Sequence, residues 1–220
     1  MATVTVEAIL SRAAVLLQDA TNIRWPKLEL LDWLNDGQRE IVLKKPNAYV
    51  KNTALNLISG SKQTIPSDGV QLLNIVRNLP GNAIRIVAME ILDSQAPNWH
   101  MNAPQQQVVH YCYHEQDLKN FYVYPPNNGA GVVELVYSAA PPNTILGGVI
   151  AIDDIYLSAL VDYVMYRAYG KDAEFAADPQ RANNHYIAFS NALGGKMQME
   201  VGFDPNTKAQ FNPNLPHHAA

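Results

Sequence analysis

Apolar residues recur at helical spacing near both ends of the chain and at strand-like spacing between them. In residues 3–20, Val4, Ile9, Ala13, Leu16 and Leu17 fall near one helical stripe, with Thr3 or Thr5 available as a cap. The run Asp19-Ala20-Thr21-Asn22 is turn chemistry and predicts the stop. Pro26 suits the first position of a second helix, which continues through KLELLDWLNDGQREIVLKK with Leu30, Leu31, Leu34, Ile41 and Val42 inward. It ends before Pro46, where Lys44 and Lys45 complement the helix dipole.

The period changes over residues 47–151. Short β-rich runs (NTALNLI, QTIP, VQLLNIVRNL, AIRIVAM, QVVHYCYH, FYVYP and VVELVYS) alternate with turn clusters such as SGSK, SDG, PGN and PPNNGAG. That spacing predicts an antiparallel sandwich or small barrel, interrupted by a short helix around Ala88 to Ser94. Helical character returns at DDIYLSALVDYVMYRAYG, and Pro179 opens a last helix to about residue 200. Residues 201–220 hold three prolines and only Asp204 and Lys208 as charges, and so read as an extended arm.

The expected fold is therefore α+β. It is a four-helix bundle made of an N-terminal helical hairpin (1–46) and a C-terminal one (152–200), with an antiparallel β domain (47–151) inserted between them and the arm (201–220) appended.

Composition narrows the function. With 48% apolar residues in 220, the chain has enough material for a core without metal or disulfide, and its one cysteine, Cys112, forms no internal bridge. No stretch approaches the ~18 apolar residues of a membrane span, and the N-terminus reads as an amphipathic helix and not as a secretory signal. The net charge is −4, distributed over the four segments as 0, −1, −3 and 0. No segment carries the basic stripe of a nucleic-acid binder.

Candidate chemistry is sparse. His110, Cys112 and His114 would share one face of a strand and offer zinc or copper donors, with His100 as a further ligand. The bland reading is a strand with these residues outward and Tyr111 and Tyr113 packed inward. Asp153, Asp154 and Asp162 group around a helix start, where dipole and cap roles account for such residues. Trp25 and Trp33 read as core, whereas Trp99, after Pro97, reads as an exposed loop residue and candidate interface anchor, and Tyr124 is a second candidate on the β domain. Phosphate-loop, dinucleotide, zincin, hydrolase-elbow and CxxC motifs are all missing, so no catalytic residue, cofactor or metal is expected. The arm places Phe203, Phe211 and Leu215 on a segment that builds no core of its own and is expected to dock on a partner.

Several segments together resemble a known group: WPKLELLDWLNDGQREIVLKKPNAY, LNLISGSKQTIPSDGVQLLNIVRN, MEILDSQAPNW, VVHYCYHEQDLKNFYVYPP and VELVYSAAP. They are similar to the head-to-tail adaptor (connector) proteins of tailed bacteriophages. The most telling pieces are W–L–N–x–GQREI, G-x-x-Q-x-I-P-x-D-G and L-D-x-x-x-P-x-W, within residues 25–142. The resemblance implies a virion protein made in the host cytoplasm that forms a dodecameric ring between a portal protein and a tail nozzle or tube. DNA would pass through the ring without specific binding. The arm would reach the portal, and Asp153, Asp154, Asp162 and Asp172 are candidates to face the channel, where negative charge repels phosphate. Two other readings compete: a metal-dependent hydrolase on His110, Cys112 and His114, and a carbohydrate- or receptor-binding β module using Trp99 and Tyr111.

Overall fold

A computed structural model describes residues 2–171 and 179–203. Five α-helices and seven strands appear among them. The chain divides into two compact units, one of residues 1–5 and 38–154 and one of residues 6–37 and 155–220.

In the helical unit, α1 (Val6–Leu16) buries Val6, Ile9, Leu10, Ala13 and Ala14, a stripe at three- and four-residue spacing. It closes with Gln18 in the left-handed region (φ 55°) while the Asp19 N–H reaches back to the Ala14 carbonyl at 2.9 Å. The Asp19 carboxylate then accepts the backbone N–H groups of Ile23, Arg24 and Trp25 at 2.9–3.0 Å, which fixes the turn into α2 (Lys27–Lys44). α4 (Leu157–Lys171) runs antiparallel to α2, as the pairs Lys171–Glu29 (2.7 Å) and Arg167–Asp36 (3.4 Å) show. Gly37 lets the two helices approach closely, since a Cβ there would stand 2.9 Å from the Tyr163 ring. α5 (Pro179–Phe203) begins at the expected proline and lies antiparallel to α4 through a ladder of rings. Tyr163 meets Phe189, Tyr166 meets Tyr186, and Tyr169 stacks on His185, with centroids 5.0–5.7 Å apart.

The β unit holds two sheets. One has the order β1 (Val50–Asn56), β7 (Val132–Ala139), β3 (Gly69–Asn78), all antiparallel. The other has the order β2 (Ser59–Thr64), β6 (Asn120–Asn128), β5 (His110–Cys112), β4 (Arg85–Ile86). Residues of both sheets share one buried cluster, including Leu72, Ile75, Phe121, Val123, Val133 and Leu135. The inward positions of β3 recur every third residue (Gly69, Leu72, Ile75, Asn78) because three register shifts against β7 each insert a residue.

These observations correct the expected four-helix bundle with an inserted antiparallel sandwich or barrel, although the α+β class holds. The strands form two sheets, of three and four strands, and the short helix expected around Ala88 to Ser94 is present as α3 (Met89–Gln95), which brings the α-helices among the described residues to five. β4 pairs with β5 in parallel, which the long connection through α3 makes possible. The division of the chain also falls inside α2, between Gly37 and Gln38, so the second helix contributes to both units. The SGSK run, expected as a turn, is most of β2, with a bulge between Gly60 and Lys62.

The turn Pro66–Gly69 carries the chain from one sheet to the other. The Gly69 N–H bonds the Pro66 carbonyl at 2.8 Å, and the Asp68 carbonyl accepts the Ala140 N–H at 2.8 Å. The Asp68 carboxylate takes the Lys51 ammonium from β1 at 2.5 Å and the Tyr137 hydroxyl from β7 at 3.1 Å. Gln63 of β2 closes the connection from β1 instead: its amide accepts the Ile58 N–H and donates to the Ile58 and Gly60 carbonyls, at 2.8–3.1 Å.

A Cβ at Gly69 would lie 2.5 Å from Ile65 Cδ1 and 2.9 Å from the Pro66 carbonyl oxygen. Gly69→Ala is therefore expected to destabilise the protein by about 1–3 kcal/mol, read from denaturant unfolding. The Lys51 bond holds the Asp68 carboxyl below its ordinary 3.8, helped by Tyr137, and the same bond raises Lys51 above 10.5. The pair contributes fully between those values. It is lost as pH falls through the lowered Asp68 value or rises through the raised Lys51 value. Lys51→Met is expected to flatten the acid limb of stability against pH, measured as the denaturation midpoint from pH ~6 down to ~3.

Candidate functional site

The pieces of sequence that carry the family resemblance are structural joints. In the W–L–N–x–GQREI stretch of α2, Trp33, Leu34 and Ile41 are buried. Gln38, also buried, accepts the Ala151 N–H at 2.7 Å, and Arg39 bonds the Asn143 side chain. In L-D-x-x-x-P-x-W, Asp93 accepts the indole N–H of Trp99 at 2.9 Å, while Leu92 and Trp99 pack with Cys112. Asn127 gathers the loops around it: it donates to the Gln105 and Gln106 carbonyls and accepts from the Gly129 and Gly131 N–H groups, at 2.8–3.1 Å. These amides satisfy backbone groups that the short strands leave over.

The metal row does not assemble. β5 ends at Cys112, so His114 lies beyond the strand, exposed, with its Nδ1 accepting the Gln116 N–H at 3.2 Å. Cys112 is buried against Trp99, and burial, with Asp93 nearby, pushes its thiol up to about 11, far from a reactive thiolate. His110 is half-buried and stacked on Tyr124. No group of three or more metal-ligating side chains is gathered among the described residues.

Trp99 is fully buried, which corrects the expectation of an exposed loop residue. The 3₁₀ turn Trp99–Met101 folds its indole inward, edge-on to Tyr122 and Tyr124, and leaves His100 exposed and stacked upon it at 3.6 Å. His100 also bonds the Ser61 hydroxyl at 2.7 Å, on the bulge of β2. Tyr111 is buried as well, with its hydroxyl on Asn74 at 3.0 Å, so Trp99 and Tyr111 form no exposed aromatic platform.

The acidic residues do not share one setting. Asp153 is exposed. Asp154 accepts the Thr3 hydroxyl and the Thr3 and Val4 N–H groups, which hold its carboxyl below the ordinary range. Asp162 faces His185 Nδ1 at 2.9 Å. Asp172 lies outside the described residues, as do Phe211 and Leu215, and the side chain of Phe203 is likewise undescribed.

The helical unit presents an open apolar groove of ≈ 550 Å³ between α1 and α4, lined by Val15, Leu16, Leu157 and Val161, with Arg12 and Asp162 at its margins. Val15 is 69% exposed and Leu16 54%. The sequence reading placed Leu16 on the buried stripe. The stripe set by Val6, Ile9, Leu10 and Ala13 continues instead to Leu17, and two large apolar residues outside it are the signal that was available.

A family model described as SU10 adaptor protein matches residues 4–210. The chain belongs to this family. No curated protein sequence matches it. Membership implies a structural role as an adaptor in the phage virion, with portal and tail proteins as partners. No helix among the described residues is long and apolar enough to cross a membrane. In the adaptor, Trp99→Phe removes the bond to Asp93 and opens space beside Leu92 and Cys112. It is expected to cost about 1–3 kcal/mol in denaturant unfolding while far-UV circular dichroism is kept.

Proposed function

We propose that the adaptor assembles as a dodecameric ring between the portal and a tail nozzle or tube, and that the genome passes through this ring during packaging and ejection. The family match over residues 4–210 carries this reading. The protein works by burying surface and performs no chemistry of its own, with no cofactor or metal. A closed ring joins one face of each subunit to a different face of the next, and permanent contacts of this kind bury on the order of 2,000 Å² or more. The apolar groove between α1 and α4 supplies exposed surface suited to such burial.

The net charge of −4 supports a channel wall that repels phosphate and binds no DNA. Asp153, Asp154, Asp162 and Asp172 are the acids assigned to that wall, of which Asp153 is the most exposed of those described. The arm of residues 201–220, with Phe203, Phe211 and Leu215, is assigned to the portal, its first three residues forming the end of α5.

Mass photometry of the chain mixed with portal assemblies tests the reading. The full chain is expected to add to the portal, and truncation after Phe203 is expected to weaken recruitment tenfold or more, as burial of two large apolar side chains requires. Absence of any portal-dependent mass would contradict it.

A further inference from the structure

The groove on the helical unit is apolar along its length, with Val15 and Leu16 of α1 beside Leu157 and Val161 of α4. Ser11 and Ser158 complete its lining, and its margins carry one charge of each sign, Arg12 and Asp162. It therefore suits an apolar occupant of low charge. The chain itself carries such a segment. Residues 209–220 (AQFNPNLPHHAA) contain no lysine, arginine, aspartate or glutamate. Asn212 and Leu215 each precede a proline, which biases both toward extended backbone. An extended run sets Phe211, Pro213 and Leu215 on one face, with Asn212 and Asn214 on the other. Reach decides whether this segment can serve its own groove. The contacts of Tyr163 with Phe189 and Tyr166 with Tyr186 set Leu157 level with about residue 195 of α5, and Asp162 at the groove margin faces His185 of the same helix. α5 continues to Phe203, about 12 Å further on. The chain from there to Phe211 spans up to about 26 Å when extended, enough to turn back over Leu157.

We propose that in the free adaptor the arm turns back and lays Phe211 and Leu215 into the groove between α1 and α4 of the same chain. The portal, to which the arm is assigned, would then compete for the same two side chains. By drawing the arm away it would uncover Val15, Leu16, Leu157 and Val161 for burial against the next subunit. An unassembled chain thus keeps its apolar groove covered, and the groove opens where the ring is to form. The release step rests on the ring reading given above, whereas the docking of the arm in the free chain does not.

The test uses the full chain without portal. It is read by methyl NMR and by fluorescence anisotropy of a labelled synthetic peptide of residues 204–220. F211A/L215A in the full chain is expected to shift the methyl signals of Val15, Leu16, Leu157 and Val161, because their cover is lost. The peptide is expected to bind F211A/L215A about tenfold or more tightly than it binds the unaltered chain, whose own arm occupies the groove. Adding V15D/L16E, at two exposed positions, to F211A/L215A is expected to weaken that binding about tenfold or more. A circular dichroism melt checks that each variant folds. Should V15D/L16E fail to fold, the methyl shifts and the competition by the arm decide alone. Unchanged methyl signals, equal binding of the peptide to both chains, no binding to F211A/L215A, or binding indifferent to V15D/L16E would overturn the proposal. Groove shifts that grow with protein concentration, together with a doubled mass, would place the arm on a second copy and overturn it too. Portal recruitment is read separately, so failure here leaves the ring assembly standing or falling on its own result.

Discussion

Two sheets share one buried cluster in the β unit, and the chain passes between them in the turn at Pro66–Gly69. That crossing is the constraint on which the rest of the unit depends. The turn must be tight, so Gly69 has no room for a side chain against Ile65. It must also be tied to strands on both sides, so Asp68 holds Lys51 of β1 and Tyr137 of β7. Gln63 does the same for the loop that precedes it. Once the crossing is fixed, β7 can pair with both β1 and β3, and Phe121 and Val123 of β6 meet Leu72 and Ile75.

The same logic explains what in the sequence was recognisable. Turns and joints demand particular residues: a glycine where a Cβ would collide, an amide where two carbonyls and an N–H need one partner, a carboxylate where an indole must be anchored. Gly37, Gln38, Gln63, Asp68, Gly69, Asp93 and Trp99 are of this kind. Helices were legible from spacing and from Pro26 and Pro179. β2 was not, because its Ser-Gly-Ser-Lys start is turn chemistry that the bulge and the β6 partner override. The burial of Trp99 was hidden because its partners, Cys112, Tyr122 and Tyr124, stand well away in sequence. His114 looked like part of a donor row only as long as β5 was assumed to continue past Cys112.

Among the described residues, no three metal-ligating side chains gather. The sole thiol is buried and its proton tightly held, and the buried amides of Gln63, Asn78 and Asn127 bind backbone. Exposed surface remains for association: an apolar groove on the helical unit, and an acidic, partly apolar cleft on the β unit. This distribution suits a member of the SU10 adaptor family, whose work is to hold other virion proteins together.

Native mass spectrometry of the purified portal–adaptor assembly, counting adaptor copies per portal, tests the central claim most directly. A single dominant species carrying a full dodecameric complement, with no partly filled rings at excess adaptor, is the expected result. A scatter of low, concentration-dependent copy numbers, or a closed adaptor-free portal, would contradict it.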